Sequence, residues 1–284
     1  MPGRNVRLRE LLLGVEGLAL LRNLFEGTDA EAARRVAEVR RLLDDDAFDV
    51  VEPTEEADAR SGYAVWSATY DDPENLIIAL EEPAVWGVIE PLPPGRALDA
   101  ACGTGRHARR LIEMGHTVTG VDITTEMLEV ARGAVPGATF DEGDLTALPY
   151  DDGSFDVIVC GLAIAHVADL DSAIAELARV LAPRGHLVIS ALHPFQALLG
   201  WHAPFKDGEG QRRFVREHPH THADYLVAFD AAGLVVRHCI EPVLTEDSVQ
   251  AKRRAFRHIR DATLAAYLGL PAVLVWHVEA RPSV

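Results

Sequence analysis

The feature that most constrains the fold is a glycine loop between a short apolar run and a helical pattern. Residues 97–106 read ALDAACGTGR, and an amphipathic pattern follows at residues 107–114. Glycines at such a position allow the backbone to turn tightly and let a ligand approach it closely. The arrangement therefore predicts a strand-to-helix turn of the kind found in nucleotide-binding α/β proteins.

The chain around this loop alternates between short apolar runs and helical patterns. The apolar runs lie at 97–98, 117–121, 155–160 and 186–190, and the helical patterns lie at 107–114, 125–134 and 170–181. This alternation predicts a parallel sheet covered by helices on both faces. Later segments add a helix near 223–232, strand-like runs at 234–240 and 272–279, and a basic helix at 251–267.

Composition excludes several classes of partner and location. The chain has 284 residues with 27 Lys and Arg against 44 Asp and Glu, so its formal net charge is −17. Such a surface repels phosphate backbones, which argues against nucleic acid as a partner. No apolar stretch approaches the ~20 residues of a membrane helix, and Glu16 interrupts the run at 11–21 that imitates a signal peptide. Three cysteines without C-x-x-C spacing indicate neither disulfides nor a zinc knuckle, so we expect a cytoplasmic protein.

Residues 1–60 predict a helical preface to an α/β domain at 61–284. The first helix carries apolar residues at helical intervals, namely Leu11, Val15, Leu18 and Phe25. A capping box at 28–31 opens a second helix, which is expected to bury Val36, Val39 and Leu43. This apolar stripe must be covered, either as a lid on the domain or by a second copy in a homodimer, and we favour the lid.

The glycine loop has two interpretations as a nucleotide site. Residues 103–108 satisfy G-x-G-x-x-G/A, and Asp122 follows Gly105 near the spacing of a dinucleotide site, so an NAD(P)-dependent oxidoreductase is one alternative. However, Asp99 precedes the loop, where a pyrophosphate would not favour a carboxylate, and Asp144 follows a later strand. A ligand with an ammonium group, a ribose and an adenine gives each of the three acids a separate partner.

At these residues the chain resembles the class I S-adenosylmethionine-dependent methyltransferases, whose glycine motif runs D-x-G-x-G-x-G. Ala101 replaces the first glycine of that motif. Further blocks follow in order at 120–123 (GVDI), 143–145 (GDL), 155–158 (FDVI) and 181–186 (LAPRGH). The resemblance covers residues 60–190 well. It implies a Rossmann-like, doubly wound, mostly parallel seven-stranded sheet and methyl transfer from S-adenosylmethionine to an O, N or C nucleophile of a small organic molecule.

The resemblance also implies which residues contact the cofactor. They are Tyr63, Tyr70, Asp99, Ala101, Gly103, Gly105, Arg106, Asp122, Ile123, Met127, Asp144, Leu145 and Gly161. Asp99 and the glycine loop would hold the methionine end, Asp122 the ribose, and Asp144 the adenine edge. The two tyrosines belong to a segment at 61–71 that either packs into the core or places an aromatic face beside the sulfonium cation. A protein that keeps this fold as a non-methylating enzyme or a binding module is a further alternative.

Two histidines are candidate general bases for a neutral nucleophile. His166 and His193 each follow a predicted strand, at the carboxyl edge where open α/β sheets bind ligands, although either could be structural. An insertion at about 194–222 is expected to recognise the substrate. It ends in HPHTH at 218–222, which would place three imidazoles on one face if extended, but no carboxylate or cysteine nearby completes a metal site, so no metal is expected. The arginines of the basic helix at 251–267 are expected to form a solvated face, with a carboxylate-bearing substrate or an acidic partner as the alternative.

Overall fold

A computed structural model describes residues 4–71, 76–250 and 252–282 of the chain. The strands are β1 (Arg4–Arg7), β2 (Val51–Ala57), β3 (Arg96–Ala100), β4 (Thr117–Asp122), β5 (Thr139–Glu142), β6 (Phe155–Cys160), β7 (Leu181–Leu192), β8 (Ala203–Lys206), β9 (Arg212–Val215), β10 (Leu234–Ile240) and β11 (Val273–Ala280). The helices are α1 (Leu8–Arg22), α2 (Asp29–Asp44), α3 (Ala59–Trp66), α4 (Leu76–Ile89), α5 (Arg106–Glu113), α6 (Thr125–Ala134), α7 (Leu170–Val180), α8 (Pro194–Leu198), α9 (His222–Ala231), α10 (Glu246–Val249), α11 (Arg253–His258) and α12 (Arg260–Tyr267). Within the described ranges, every helix is too short or too polar to cross a bilayer.

The described chain divides into two compact units whose limits differ from the expected boundary at residue 60. The first unit contains the described residues up to Glu55 together with Glu209–Arg213 and Val243–Leu270. The second contains Glu56–Gly208, Phe214–Pro242 and the described residues from Pro271 onward. The helical preface therefore shares its unit with α10, α11 and α12, which come from the far end of the chain.

The second unit is built on a seven-stranded sheet in the order β10-β11-β7-β6-β3-β4-β5. Strands β7, β6, β3, β4 and β5 are parallel, whereas β11 runs antiparallel to both β7 and β10. This confirms the expected doubly wound, mostly parallel α/β fold. The chain winds outward from β3 in both directions, because β4 lies on one side of it and β6 on the other. The carboxyl ends of β3, β4 and β6 therefore border the crevice at which such sheets bind ligands.

The core of the second unit explains why the apolar runs become strands. Along β6, Val157, Ile158, Val159 and Cys160 are all buried, as expected for a parallel strand with helices on both faces. Helix α7 adds a stripe of buried apolar residues, including Ala173, Ile174 and Leu177, spaced at helical intervals. The observed helix closely matches the predicted one at 170–181.

In the first unit, the expected inward face of α2 was wrong. The buried residues of α2 are Arg35 and Leu42, whereas Val36 is 42% exposed and Leu43 is 53% exposed. Arg35 Nη1 lies 3.4 Å from the buried Glu16 of α1 and its Nη2 donates to a backbone carbonyl of α12. A buried carboxylate requires a cation, so this pair turns the Arg35 face of α2 inward.

Two other expectations in the first unit also differ from the structure. Helix α1 ends at Arg22, so Phe25 lies beyond it and is 95% exposed. The expected basic helix at 251–267 is broken at Ile259, whose φ of −142° and ψ of 59° lie outside the helical region, and residue 251 lies outside the described residues. Its arginines are not purely solvated, because Arg254 forms an ion pair with Glu52.

Candidate active site

A cavity of about 390 Å³ lies at the carboxyl ends of the central strands, within the volume range of small-molecule sites. The expected cofactor residues that line it are Tyr63, Tyr70, Ala101, Gly103, Asp122, Ile123, Met127, Asp144, Leu145 and Gly161. His166 also lines the cavity, together with Thr124, Thr146, Leu162, Ala163 and Asp169. The structure therefore brings together residues that are spread over more than a hundred positions of the sequence.

The glycine loop forms one wall of the cavity and adopts left-handed backbone conformations. Ala101 has a φ of 56° and Gly103 a φ of 52°. This conformation costs an L-residue about 1–2 kcal/mol. The cost explains why the motif usually has glycine at the position that Ala101 occupies in this chain. Gly103 has open space at its α-carbon, since an added Cβ would approach only Met127, at 4.0 Å. A ligand can therefore lie directly against the backbone there.

Asp122 ends β4 and links the loop to the next strand. Its Oδ2 accepts the Gly103 amide and its Oδ1 accepts the Thr124 amide, each at 2.8 Å. Burial raises the pKa of this carboxyl, while the amide hydrogen bonds act in the opposite direction. A carboxylate has about four acceptor positions, so Asp122 has acceptor capacity beyond these two bonds.

Asp144 contributes a second carboxylate to the cavity from the loop after β5. Its Oδ1 accepts both the backbone N–H and the hydroxyl of Thr146, each at 2.8 Å. These two bonds hold the side chain in one orientation beside Leu145, which is buried. The cavity thus has a carboxylate on each of two neighbouring loops, after β4 and after β5.

Asp99 and Gly105 do not line the cavity, although both were expected to contact the cofactor. Asp99 is buried under the loop, where its Oδ2 accepts the Ala108 amide at 2.7 Å and its Oδ1 has no hydrogen-bond partner among the described residues. Burial raises the pKa of Asp99 to about 6. Gly105 is buried and faces Ala131 of α6 and Val135, which directly follows that helix. Both residues support the loop from behind.

Arg106 is also outside the cavity lining, because its guanidinium is held by a buried ionic network. Its Nη1 lies 2.8 Å from Oε2 of Glu81 and 3.1 Å from Glu82. The other oxygen of Glu81 contacts His107 Nε2 at 3.1 Å and accepts the Ser190 hydroxyl at 2.7 Å. Burial would raise the pKa of Glu81, but His107 and Arg106 outweigh it and hold the pKa at about 2.

This network lies directly behind the cavity floor. A Cβ on Gly161 would approach Nε2 of His107 to 2.3 Å, so no larger residue fits there. The next residue, Leu162, has a φ of 55°, and its amide is held by the backbone carbonyl of Ser190 at 3.0 Å. The ends of β6 and β7 are thereby fixed to each other beneath the cavity.

The segment at 61–71 supplies an aromatic group to the cavity. Tyr63 and Trp66 stack at 5.5 Å, and Tyr70 packs edge-on against Tyr63 at 5.8 Å. Trp66 also stacks on Phe205 of the insertion at 5.5 Å. The aromatic rings thus pack on one another, as the first interpretation expects, and Tyr63 and Tyr70 also line the cavity.

His166 lines the cavity, and both of its ring nitrogens form hydrogen bonds. Its Nδ1 lies 2.7 Å from the backbone carbonyl of Arg216, which can only accept, so Nδ1 carries the proton. Its Nε2 then accepts the Tyr63 hydroxyl at 2.8 Å. Glu217 lies 3.7 Å from the same nitrogen, is buried, and has an Oε2 without a hydrogen-bond partner among the described residues. Burial raises the pKa of Glu217.

His193 does not line the cavity, and both of its ring nitrogens are engaged. Nδ1 accepts the Phe195 amide at 3.1 Å at the start of α8, and Nε2 lies 2.9 Å from Glu241. Neither nitrogen is therefore free to take a proton from a substrate. In the HPHTH segment the three imidazoles separate, because the rings of His218 and His220 stack at 5.9 Å while His222 begins α9 and approaches Glu241.

The buried Asp99 gives a testable pH dependence. A carboxyl whose pKa is raised in the folded state stabilises the fold below the unfolded pKa and loses that contribution as the pH rises through about 6. Asp99→Asn cannot ionise, so its unfolding free energy relative to wild type should rise by about 2–3 kcal/mol between pH 4 and 7. Urea unfolding at several pH values measures this, with Asp171→Asn at an exposed position as the control. A difference that does not change with pH would contradict the assignment.

Comparison with known proteins agrees with this geometry. Residues 98–189 match the methyltransferase domain family. Demethylmenaquinone methyltransferase of Deinococcus radiodurans is 41% identical over 107 residues, which cover 36% of this chain and 44% of that protein. Malonyl-[acyl-carrier protein] O-methyltransferase of Erwinia billingiae is 37% identical over 97 residues, covering 34% and 39%. The chain thus spans less than half the length of these relatives.

A solved structure extends the likeness beyond the matched segment. The S-adenosylmethionine-dependent methyltransferase from Mesorhizobium loti has a TM-score of 0.55 and 26% identity, covering 72% of this chain and all of that one. The fold, the glycine loop and the acids after β4 and β5 define one class of protein. That class is the S-adenosylmethionine-dependent methyltransferases, which the segment at 98–189 matches and whose fold the second unit resembles.

Proposed function

We propose that this protein transfers a methyl group from S-adenosylmethionine to a small organic molecule. The observation that carries the proposal is Asp122, whose two oxygens hold the glycine loop and the start of α6 while it lines a cavity of about 390 Å³. A carboxylate at the end of the second parallel strand, next to exposed loop backbone, suits a ribose beside a polar tail. The methyltransferase names of the relatives support the same reaction.

The cavity residues fit S-adenosylmethionine. Asp122 would bind the ribose hydroxyls, Asp144 the adenine amino group, and the open backbone at Gly103 the methionine end. Tyr63 and Tyr70 would place aromatic faces near the positively charged sulfur, an arrangement that attracts cations. Once bound, the cofactor supplies a methyl group on a sulfonium, which leaves as a neutral thioether. The remaining task of the chain is to align the acceptor, exclude water and remove a proton.

The Tyr63 and His166 pair provides a path for that proton. Burial raises the pKa of Tyr63 well above its ordinary value, so a free phenolate does not form at neutral pH. The Tyr63 hydroxyl would instead accept the acceptor's proton as it passes its own to Nε2 of His166. The resulting imidazolium would lie 3.7 Å from Glu217, whose carboxylate would stabilise it. This assigns the role of base to His166 and leaves His193 without a part in proton transfer.

Replacing Tyr63 with phenylalanine tests this path. The variant keeps the aromatic ring that faces the cavity and removes only the hydroxyl. With an acceptor that must lose a proton, kcat should fall by about 10²–10⁴, and His166→Ala should give a similar loss, since general-base catalysis contributes an effect of this size. Affinity for S-adenosylmethionine should stay within about threefold of wild type, because neither change removes a carboxylate of the site. Unchanged kcat in both variants would exclude the path.

An unbiased acceptor survey tests the proposed activity. The full chain would be incubated with methyl-labelled S-adenosylmethionine and a fractionated extract of cellular small molecules, and the labelled products identified by mass spectrometry. We expect label in a small organic molecule, together with the demethylated cofactor in equal amount. The Asp122→Ala variant is the matched control and should transfer far less label. Label transfer to nucleic acid in a parallel arm, with none to the small molecules, would contradict the proposed substrate class.

A further inference from the structure

Three potential metal ligands converge outside the cavity, from distant parts of the second unit. His193 directly follows β7, His222 begins α9, and Glu241 directly follows β10. Oε1 of Glu241 lies 2.9 Å from Nε2 of His193 and 3.2 Å from Nε2 of His222. One ligand atom from each side chain lies within 4.8 Å of the other two. The carboxylate that the HPHTH segment lacks in sequence is therefore supplied by Glu241.

We propose that His193, His222 and Glu241 bind a divalent transition metal ion, with Zn²⁺ the best fit. Two imidazole nitrogens and one carboxylate oxygen form a common ligand set for Zn²⁺ and for Fe²⁺. Metal–ligand bonds of about 2.0–2.1 Å in a tetrahedral arrangement place the ligand atoms roughly 3.4 Å apart. The two separations from Glu241 are already close to that value. Mg²⁺ and Ca²⁺ prefer oxygen ligands, so the nitrogens disfavour them.

Metal binding changes which nitrogen of each imidazole carries the proton, without any net gain or loss of protons. A carboxylate accepts hydrogen bonds, and Oε1 of Glu241 lies 2.9 Å and 3.2 Å from the two Nε2 atoms, so both Nε2 atoms carry a proton when no metal is bound. A metal at Nε2 requires each ring to move its proton to Nδ1. For His222, whose side chain is 39% exposed, Nδ1 then meets solvent. For His193 the change gives up the hydrogen bond from the Phe195 amide, so the site exchanges one backbone contact of α8 for a metal bond.

The position of the site indicates what the ion would do. His193 is buried, whereas Glu241 is 45% exposed, so an ion there would sit at the surface with at least one coordination position open to solvent. It would connect the end of the insertion, at the start of α9, to two strand ends of the sheet. Trp276 packs edge-on against His222 at 5.7 Å and supports the ring from the core side. The ion would thus fix the insertion against the sheet.

Another histidine cluster serves as an internal comparison. His277 lies between His186 and His238, with its Nε2 3.0 Å from Nδ1 of the first and its Nδ1 3.1 Å from Nδ1 of the second. The neighbours approach opposite nitrogens of one ring, so their lone pairs do not meet at a common point. Among the described residues, no carboxylate forms a hydrogen bond with these three imidazoles. It is therefore not expected to compete for the ion.

Metal titration of the full chain tests the site without a known methyl acceptor. After treatment with a chelator and its removal, the protein would be titrated with Co²⁺, followed by visible absorption, and with Zn²⁺, followed by calorimetry. We expect one equivalent of each, with Zn²⁺ displacing Co²⁺, and a rise in the thermal unfolding midpoint. His222→Ala and Glu241→Gln should each weaken binding by at least about 100-fold, more than the loss of a supporting contact costs. His258→Ala, at the end of α11 in the first unit, and His238→Ala, in the other histidine cluster, should bind as wild type.

Several results would overturn the proposal. Absence of Zn²⁺ heat together with absence of a Co²⁺ spectrum would show that the three side chains form only hydrogen bonds. Unchanged binding in both His222→Ala and Glu241→Gln would place the ion elsewhere on this acidic chain. Loss of binding in His238→Ala would assign it to the other histidine cluster. Glu241→Gln keeps the size of the side chain and its acceptor oxygen, so circular dichroism should confirm an intact fold.

Discussion

Replacing Glu81 with glutamine is expected to lower the free energy of unfolding by about 3–5 kcal/mol, because it removes the charge that compensates a buried cation. Glu81 is fully buried and faces Arg106, His107 and Ser190. Without its carboxylate, Arg106 keeps only the half-exposed Glu82. Urea unfolding monitored by circular dichroism at pH 7 measures the change.

Glu82→Gln is the matched control for Glu81, since both side chains contact Nη1 of Arg106. The side chain of Glu82 is 38% exposed, so its loss should cost only about 0–1 kcal/mol. The pKa of Glu81 is lowered to about 2, so its stabilisation is present above pH 4.5 and disappears as the pH falls toward 2. The difference between Glu81→Gln and wild type should shrink over that interval. Equal effects of the two substitutions at pH 7 would contradict the buried network.

Replacing Asp122 with alanine is expected to weaken S-adenosylmethionine binding by about 1.5–3 kcal/mol, or roughly 10- to 150-fold in Kd. The substitution removes the acceptor proposed for the ribose. It also leaves the amides of Gly103 and Thr124 without the oxygens that fix the loop. Both effects weaken binding of the same ligand, so the expected loss of binding free energy is at the upper end of this range. Isothermal titration calorimetry provides the Kd.

Glu142→Gln controls for the loss of an acidic side chain near the cavity. Glu142 ends β5, beside β4 and its terminal Asp122, but its carboxylate pairs with Arg60 and does not line the cavity. Its removal should change the Kd by less than about twofold, as is usual for exposed ion pairs. If Asp122→Ala binds within twofold of wild type while remaining folded, Asp122 does not contact the ligand.

Local sequence patterns predicted the central parallel strands because these strands are buried on both faces. Such strands require nearly continuous apolar runs, as at 155–160, and the runs are visible without knowledge of their neighbours. The same holds for Asp122, which ends β4, and for Asp144, which lies two residues after β5, both at the ligand-binding edge. Pattern alone could not show that Arg106 turns away from the cavity. That orientation depends on Glu81, which lies 25 residues upstream and is buried.

Local sequence patterns could not predict contacts between residues from distant segments of the chain. Glu217 meets His166 because residues after β9 hydrogen-bond along the turn that contains His166. Glu241 meets His222 only because β10 and α9 end and begin at the same edge. No motif connects these pairs in sequence. For the same reason the prediction of the inward face of α2 was wrong. Burial of Arg35 is favourable only where the carboxylate of Glu16 lies beside it.

Calorimetric titration of the wild-type chain with three ligands tests the central claim most directly. S-adenosylmethionine and its demethylated product share the ribose and adenine, whereas NAD carries a pyrophosphate. We expect both sulfur ligands to bind with one site per chain and NAD to give no measurable heat at the same concentrations. Binding of NAD, with neither sulfur ligand bound, would contradict the account and favour an oxidoreductase.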